Sequence, residues 1–232
     1  AKGGSGMLLG NWLLGHSLLV LLSLGTVFNL CWLGICRNRL RFSRWTVPLL
    51  AVLHTIFGVL SVRCMAFLET GSGGNMSLYG GMFLMPVFYG AVACAGKKKA
   101  ADVFDVFTVC MLFTLLCARV NCIWKGCCAG LPIPGIGLRW PTRQLEILYY
   151  IAALADMAPK AKNGRQRGML YPLYMASYGG FRFITEFFRT SSSGQLLHLA
   201  HLWSALAVGL GISIYSEIQS KQKKGGDKKC VN

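Results

Sequence analysis

The sequence predicts an all-α, polytopic membrane protein. Three observations carry that prediction: a composition too apolar for water, charge-free runs of bilayer length, and basic clusters in alternate connections. Of the 232 residues, 54% are hydrophobic and 14% are charged, against about 25% charged in an ordinary soluble domain. Mean hydropathy is +0.49 for a chain of 25.4 kDa. A water-soluble chain of that size could not enclose so much apolar surface. Disorder and a small disulfide-rich module are excluded by the same composition. The formal net charge is +16, from 24 Lys plus Arg against 8 Asp plus Glu. Nucleic-acid binding would want those cations on one face, interleaved with aromatic rings. They fall instead in short clusters between apolar runs, which is the signature of membrane topology. The expected surroundings are therefore the lipid bilayer, with no nucleic-acid partner.

A bilayer core takes about 20 mostly apolar residues per helix. Residues 3–36, 45–62, 70–96 and 190–216 contain no Asp, Glu, Lys or Arg, and hold four clear spans near 8–34, 46–66, 76–95 and 196–216. Weaker segments near 103–123, 144–159 and 169–188 are also long enough to cross, but ionisable residues interrupt them: Asp105 and Arg119, then Glu146, then Arg182 and Glu186. Seven transmembrane helices result. Arg37, Arg39, Arg41 and Arg44 follow the first span, and Lys97, Lys98 and Lys99 the third. Lys160, Lys162, Arg165 and Arg167 follow the fifth, and lysines between 221 and 229 follow the seventh. All four clusters lie on one side of a seven-span chain, and the positive-inside rule makes that side cytoplasmic. The N terminus is then outside and the C terminus inside. Residues 124–143, with Pro132, Pro134, Pro141 and four glycines, become a small external cap between spans four and five.

Residues 1–6, ahead of Met7, read as an expression scar, and residues 7–220 as the seven-span domain. With only Lys2 before the first span, no cleavable signal peptide is expected. Residues 221–232 read as a basic cytoplasmic tail that anchors topology and touches anionic lipid.

Ionisable side chains at membrane depth usually face a bundle interior or an aqueous cavity. Tyr178, Arg182, Glu186 and Arg189 are spaced by four, four and three, which puts them on one helical stripe. Arg119 ends an apolar run, and its planar fork suits a phosphate through two hydrogen bonds. Two arginines from different spans could neutralise one phosphodiester. The alternatives are an internal Arg–Glu–Arg ladder that fixes helix packing, and an Arg119 that snorkels to the interface. Met-Ser-Leu-Tyr-Gly-Gly at 76–81 opens the third span, and its paired glycines Gly80 and Gly81 allow close approach by a lipid headgroup or another backbone. Most of the ten cysteines are scattered through apolar runs, where Cys behaves as a small hydrophobe. There is no C-x-x-C, Cys127-Cys128 is poor ligand spacing, and the four histidines make no pattern with them. No metal and no cofactor are expected on that spacing. Cys127 and Cys128 remain candidate reactive thiols in the cap.

Together these pieces resemble prolipoprotein diacylglyceryl transferases, seven-span bacterial enzymes that lipidate lipoprotein precursors. Residues 76–81 resemble the family's Met-Ser-Phe-His-Gly-Gly, and Asp105 precedes Arg119 as the family's Asp precedes its signature Arg. Residues 118–130 follow the frame of that signature, and Pro141-Thr142 with Glu146 resembles the Pro-Thr/Ser-Gln-Leu-Tyr-Glu element. Tyr178-Gly179-Gly180-Phe181-Arg182 with Glu186-Phe187-Phe188-Arg189 is similar to Tyr-Gly-x-Phe-Arg-x-x-x-Glu-Phe-Phe-Arg, the most specific match. Tyr79 stands where the family has the His proposed as general base; Asn121, Cys122, Lys125 and Cys127 also depart from the signature.

The resemblance implies a transferase of the bacterial plasma membrane that moves a diacylglyceryl group from phosphatidylglycerol, or another anionic phospholipid, to the lipobox cysteine of a preprolipoprotein. Glycerol phosphate is released. It implies Arg119 and Arg182 as a phosphate clamp, Glu186 and Tyr178 orienting Arg182, and Arg189 attracting the headgroup at the mouth. Asp105 and Glu146 belong to the substrate site, and Tyr79, Gly80 and Gly81 line it, with Tyr79 a hydrogen-bond donor or tuned base. Two alternatives stand beside this reading: a same-fold enzyme with a different acceptor, engaging Cys127 or Cys128, and a non-catalytic lipid-binding protein.

Overall fold

The computed structural model describes residues 15–71, 76–164, 167–189 and 198–227. Expectations for residues 1–6, for the 190–195 connection and for 228–232 fall outside the described residues. Seven helices follow in order: α1 (Ser17–Leu40), α2 (Thr46–Thr70), α3 (Tyr79–Ala95), α4 (Ala100–Trp124), α5 (Thr142–Asn163), α6 (Leu170–Glu186) and α7 (Leu199–Asp227). Among the described residues the architecture is all-helical, as the apolar runs predict. Each expected span corresponds to one helix.

Four helices, α1, α2, α4 and α7, are long and apolar enough to cross a membrane. The sequence ranked the third span among the clear ones and the fourth among the weak; the structure exchanges them. The helix α3 has only 17 residues because the segment before it is pinned sideways to α2. There the Ser77 amide donates to the Val62 carbonyl at 3.0 Å, and the Ser77 hydroxyl donates to Glu69 at 3.0 Å. The α4 helix tolerates its charges because it is the centre of the bundle. Of its most apolar stretch 67% is buried, against 28%, 33% and 22% in α1, α2 and α7. The α7 helix continues to Asp227, so the first part of the expected basic tail is helical. An i,i+4 pair, Lys221 to Glu217 at 2.6 Å, supports that extension.

Phe107, Leu112, Met82, Met85 and Tyr89 fill the centre, and buried polar ties set the helix register. The Trp32 indole donates to the Val106 carbonyl at 3.0 Å. Asn29 meets His54 at 3.2 Å, and the Ser17 hydroxyl donates to Asn121 at 2.7 Å. With little hydrophobic drive between helices in lipid, such ties and close backbone packing hold a bundle together.

The two ends differ. At one, Arg39 reaches the Ala161 carbonyl, Lys98 donates to the Arg41 carbonyl at 2.8 Å and Gln222 donates to that of Arg167 at 2.9 Å. Those contacts gather the basic segments after α1, α3 and α5 around the last turns of α7. At the other, the 124–143 connection closes over the bundle as a small hairpin. Leu131 donates to the Phe188 carbonyl at 2.8 Å, Trp140 to that of Leu131 at 3.0 Å and Ile133 to that of Leu138 at 2.8 Å. Gly135 and Gly137 make the turn at φ 80° and 68°, left-handed values that favour glycine.

Candidate functional site

Beneath that hairpin, helices α4, α5 and α6 each direct charge inward. Glu146, one turn into α5, is the centre, with its side chain 1% exposed. Arg119 of α4 pairs with its Oε2, and Arg182 of α6 donates from Nη1 to its Oε1 at 2.6 Å. Arg189, just past α6, lies 3.7 Å from the same oxygen. Glu186 takes the second edge of Arg182 at 2.8 Å and Arg189 Nε at 3.5 Å. The spacing of four and three along α6 brings these groups to one face, as the sequence pattern predicts.

Three arginines face two carboxylates in direct pairs, so cations outnumber anions among the paired groups, and a further carboxylate, Glu69, lies within electrostatic reach of Arg182. Buried charge is tolerated when it is paired and hydrogen-bonded; an excess cation in a dry site is suited to an anion. Tyr178, 1% exposed, borders the cluster, and its hydroxyl has no hydrogen-bond partner among the described residues. Its ring stacks on Tyr150 with centroids 5.5 Å apart. An anion-accepting centre with a spare donor beside it is what this geometry offers chemically.

Of the remaining expected site residues, Tyr79 lies within electrostatic reach of Arg182, Tyr178 and Glu186, but its hydroxyl is spent elsewhere. The Tyr79 hydroxyl donates to the Ala200 carbonyl at 2.9 Å and meets Ser204 at 2.7 Å, so its polar contacts join α3 to α7. Gly80 lies against the backbone of Ser61 and Val62, where an added Cβ would collide; at Gly81 only Leu115 comes near, at 3.7 Å. Gly80 thus admits another backbone, α2, and Gly81 does not. Asp105 is fourteen residues before Arg119, about 21 Å along a helix. It accepts from the Gly168 and Leu170 amides at 2.9 and 3.3 Å and lies 3.2 Å from Arg39. The structure sets it at the basic end, tying down the start of α6.

Cys127 is exposed and Cys128 half-buried, and both are free thiols. Cys122, from the last turn of α4, joins them, with the three sulfurs within 4.8 Å of one another. The Cys128 thiol is held well below the ordinary thiol range, first by its hydrogen bond with Cys122 and then by the Arg189 and Arg119 charges, although burial opposes them. Sequence spacing singled out the adjacent pair and missed its third member; the available signal was Cys122 at i+3 from Arg119. His201 was also missed. It is 2% exposed, packs its ring 4.4 Å from that of Phe187 and accepts from the His198 amide at 3.1 Å.

The family model of prolipoprotein diacylglyceryl transferase matches residues 49–216. The chain belongs to that family. No curated protein matches it. The match runs from α2 into α7, so all five members of the Arg–Glu cluster and all three clustered thiols lie within it. Family membership makes this a transferase-family, multi-pass membrane protein of lipoprotein biosynthesis, whose family substrates are lipid and prolipoprotein. The Arg–Glu cluster is where this family member concentrates its buried charge.

Proposed function

We propose that the protein transfers the diacylglyceryl group of phosphatidylglycerol to the lipobox cysteine of a prolipoprotein, in a bacterial plasma membrane crossed seven times with the N terminus outside. The observation that carries this reading is the enclosed cluster of Arg119, Arg182 and Arg189 around Glu146 and Glu186, in which paired cations outnumber anions. The gathering of the basic segments at the opposite end supports the orientation.

The reaction has simple demands. The acceptor thiol gives up its proton to water, its sulfur attacks the glycerol carbon that bears the phosphate, the carbon–oxygen bond breaks, and glycerol phosphate leaves with the electron pair. Charge grows on the departing phosphate. Arg119 and Arg182 stabilise it with donors already oriented by Glu146 and Glu186, so little reorganisation accompanies the step. Arg189, at the edge nearest the cap, draws the anionic headgroup in, and the Tyr178 hydroxyl supplies a further donor. Tyr79 and Gly80 shape the wall by joining α3 to α7 and α2. A second reading keeps the lipid and changes the acceptor; it is favoured by a tyrosine at position 79 whose hydroxyl is already engaged on α7.

The test is mass spectrometry on the purified chain in phosphatidylglycerol nanodiscs with a lipobox peptide. A diacylglyceryl mass on the peptide cysteine and free glycerol phosphate are expected. Arg182→Ala should lower turnover by about 10²–10³-fold, and Arg182→Lys should rescue little, because a point charge cannot replace a planar fork. Glycerol phosphate without peptide modification would select the second reading. Neither product would leave the cluster as a helix brace.

A further inference from the structure

We propose that Cys122, Cys127 and Cys128 form a zinc(II) site of three sulfur ligands, with a fourth position that takes the acceptor thiol. The three Sγ atoms already lie within 4.8 Å of one another. Four-coordinate zinc with Zn–S near ~2.3 Å sets sulfurs about 3.8 Å apart. The difference is at most about 1 Å between sulfurs, small beside the reach of a cysteine side chain. Soft thiolate sulfur selects zinc among the common divalent ions, and three protein ligands with one open position is the arrangement of catalytic rather than structural zinc. Cys127 is exposed, so the open position is accessible from the cap.

The backbone holding these sulfurs is tethered at each cysteine by the start of α5. Arg143 donates to the Cys122 carbonyl at 3.4 Å and to the Cys127 carbonyl at 3.3 Å, while Thr142 donates to that of Cys128 at 3.5 Å. Cys128 has φ 57°, a left-handed conformation uncommon for a residue with a side chain. Such outliers persist where surrounding contacts over-determine them, and they concentrate at functional sites. Three thiolates with one divalent ion carry one net negative charge, which the Arg143 guanidinium beside them matches.

The site also lies where the proposed reaction needs it. Cys122 is one helical turn beyond Arg119, and Gly130, two residues after Cys128, makes an antiparallel bridge with Arg189. The phosphate clamp and the thiol cluster are therefore neighbours. An acceptor thiol that displaces water from the fourth position loses its proton to solvent, because a metal-coordinating thiol is deprotonated. Its sulfur then attacks the glycerol carbon, and glycerol phosphate leaves with the bonding pair. This supplies the thiolate without an imidazole at position 79. The inference about the fourth ligand rests on the transferase reading; zinc binding itself does not.

Zinc titration of the reduced, chelator-stripped full chain, in detergent and against a competing chelator, tests the site. One tightly held zinc per chain is expected. Cys122→Ser, Cys127→Ser and Cys128→Ser should each weaken it by more than roughly 10²-fold, and Arg143→Gln by roughly 10–10²-fold. Cys31→Ser, on the exposed face of α1, should change nothing. Absence of stoichiometric zinc in the unsubstituted chain overturns the site whether or not any variant folds. So does unchanged affinity in Cys128→Ser. With cobalt(II) in place of zinc, a lipobox peptide should shift the visible spectrum, and its Cys→Ser form should not; a spectrum indifferent to the thiol overturns the fourth-ligand role. Full-rate transfer by the metal-free chain would remove zinc from the reaction and keep the transferase. Zinc bound without transfer to any thiol would do the reverse.

Discussion

Glu146 is the residue on which the site depends, and sequence alone did not show its centrality. A carboxylate in a weak apolar segment advertises a buried role, but its three partners come from α4, from α6 and from the residues just past α6. The stripe from Tyr178 to Arg189 was legible because its spacing is written into one helix. Asp105 shows the opposite case: the motif grouped it with Arg119, while helical rise alone puts fourteen residues about 21 Å apart. Tyr79 carries a prediction at this scale. Its hydroxyl bonds to α7, so Tyr79→Phe should retain turnover within a few-fold and lose about 1 kcal/mol of stability, read by activity and thermal unfolding in detergent. Abolished turnover with unchanged unfolding would return Tyr79 to the chemistry.

Among the elements, α3 repays attention because its apolar run overstated its length. An apolar stretch fixes what can be buried; where the helix starts depends on hydrogen bonds to a neighbour, here Ser77 to α2. Of the two uses that sequence left open, the structure shows close backbone approach, and at Gly80 alone. At Gly80 a Cβ would strike the Ser61 carbonyl and Val62, whereas at Gly81 it would make ordinary contact with Leu115. Gly80→Ala should therefore destabilise the chain by about 1–3 kcal/mol, the usual range for overpacking. Gly81→Ala should be nearly silent in the same melt. Equal effects would mean that α2 and α3 adjust their separation freely.

For the whole molecule, the alternation of charge was the most informative sequence signal, because topology follows basic clusters rather than the details of packing. The structure gathers those clusters at one end and the Arg–Glu cluster at the other. Single-cysteine variants test the orientation: a membrane-impermeant maleimide should label Cys127 on intact cells, and Lys160→Cys only after permeabilisation. The reverse pattern would invert the topology. The Arg182–Glu146 pair has one more consequence at this scale. The backbones of α5 and α6 approach sparingly, whereas α6 and α7 pack along their length, so side chains join the α5–α6 seam: this ion pair at the capped end, with the Tyr149–Ser177 hydrogen bond and the Tyr149–Phe181 ring stack beside it. In the proposed reaction, the pairing with Glu146 that fastens this seam is also what orients the Arg182 guanidinium for the phosphate. The side chain that would hold the leaving group is then also a bolt between two helices.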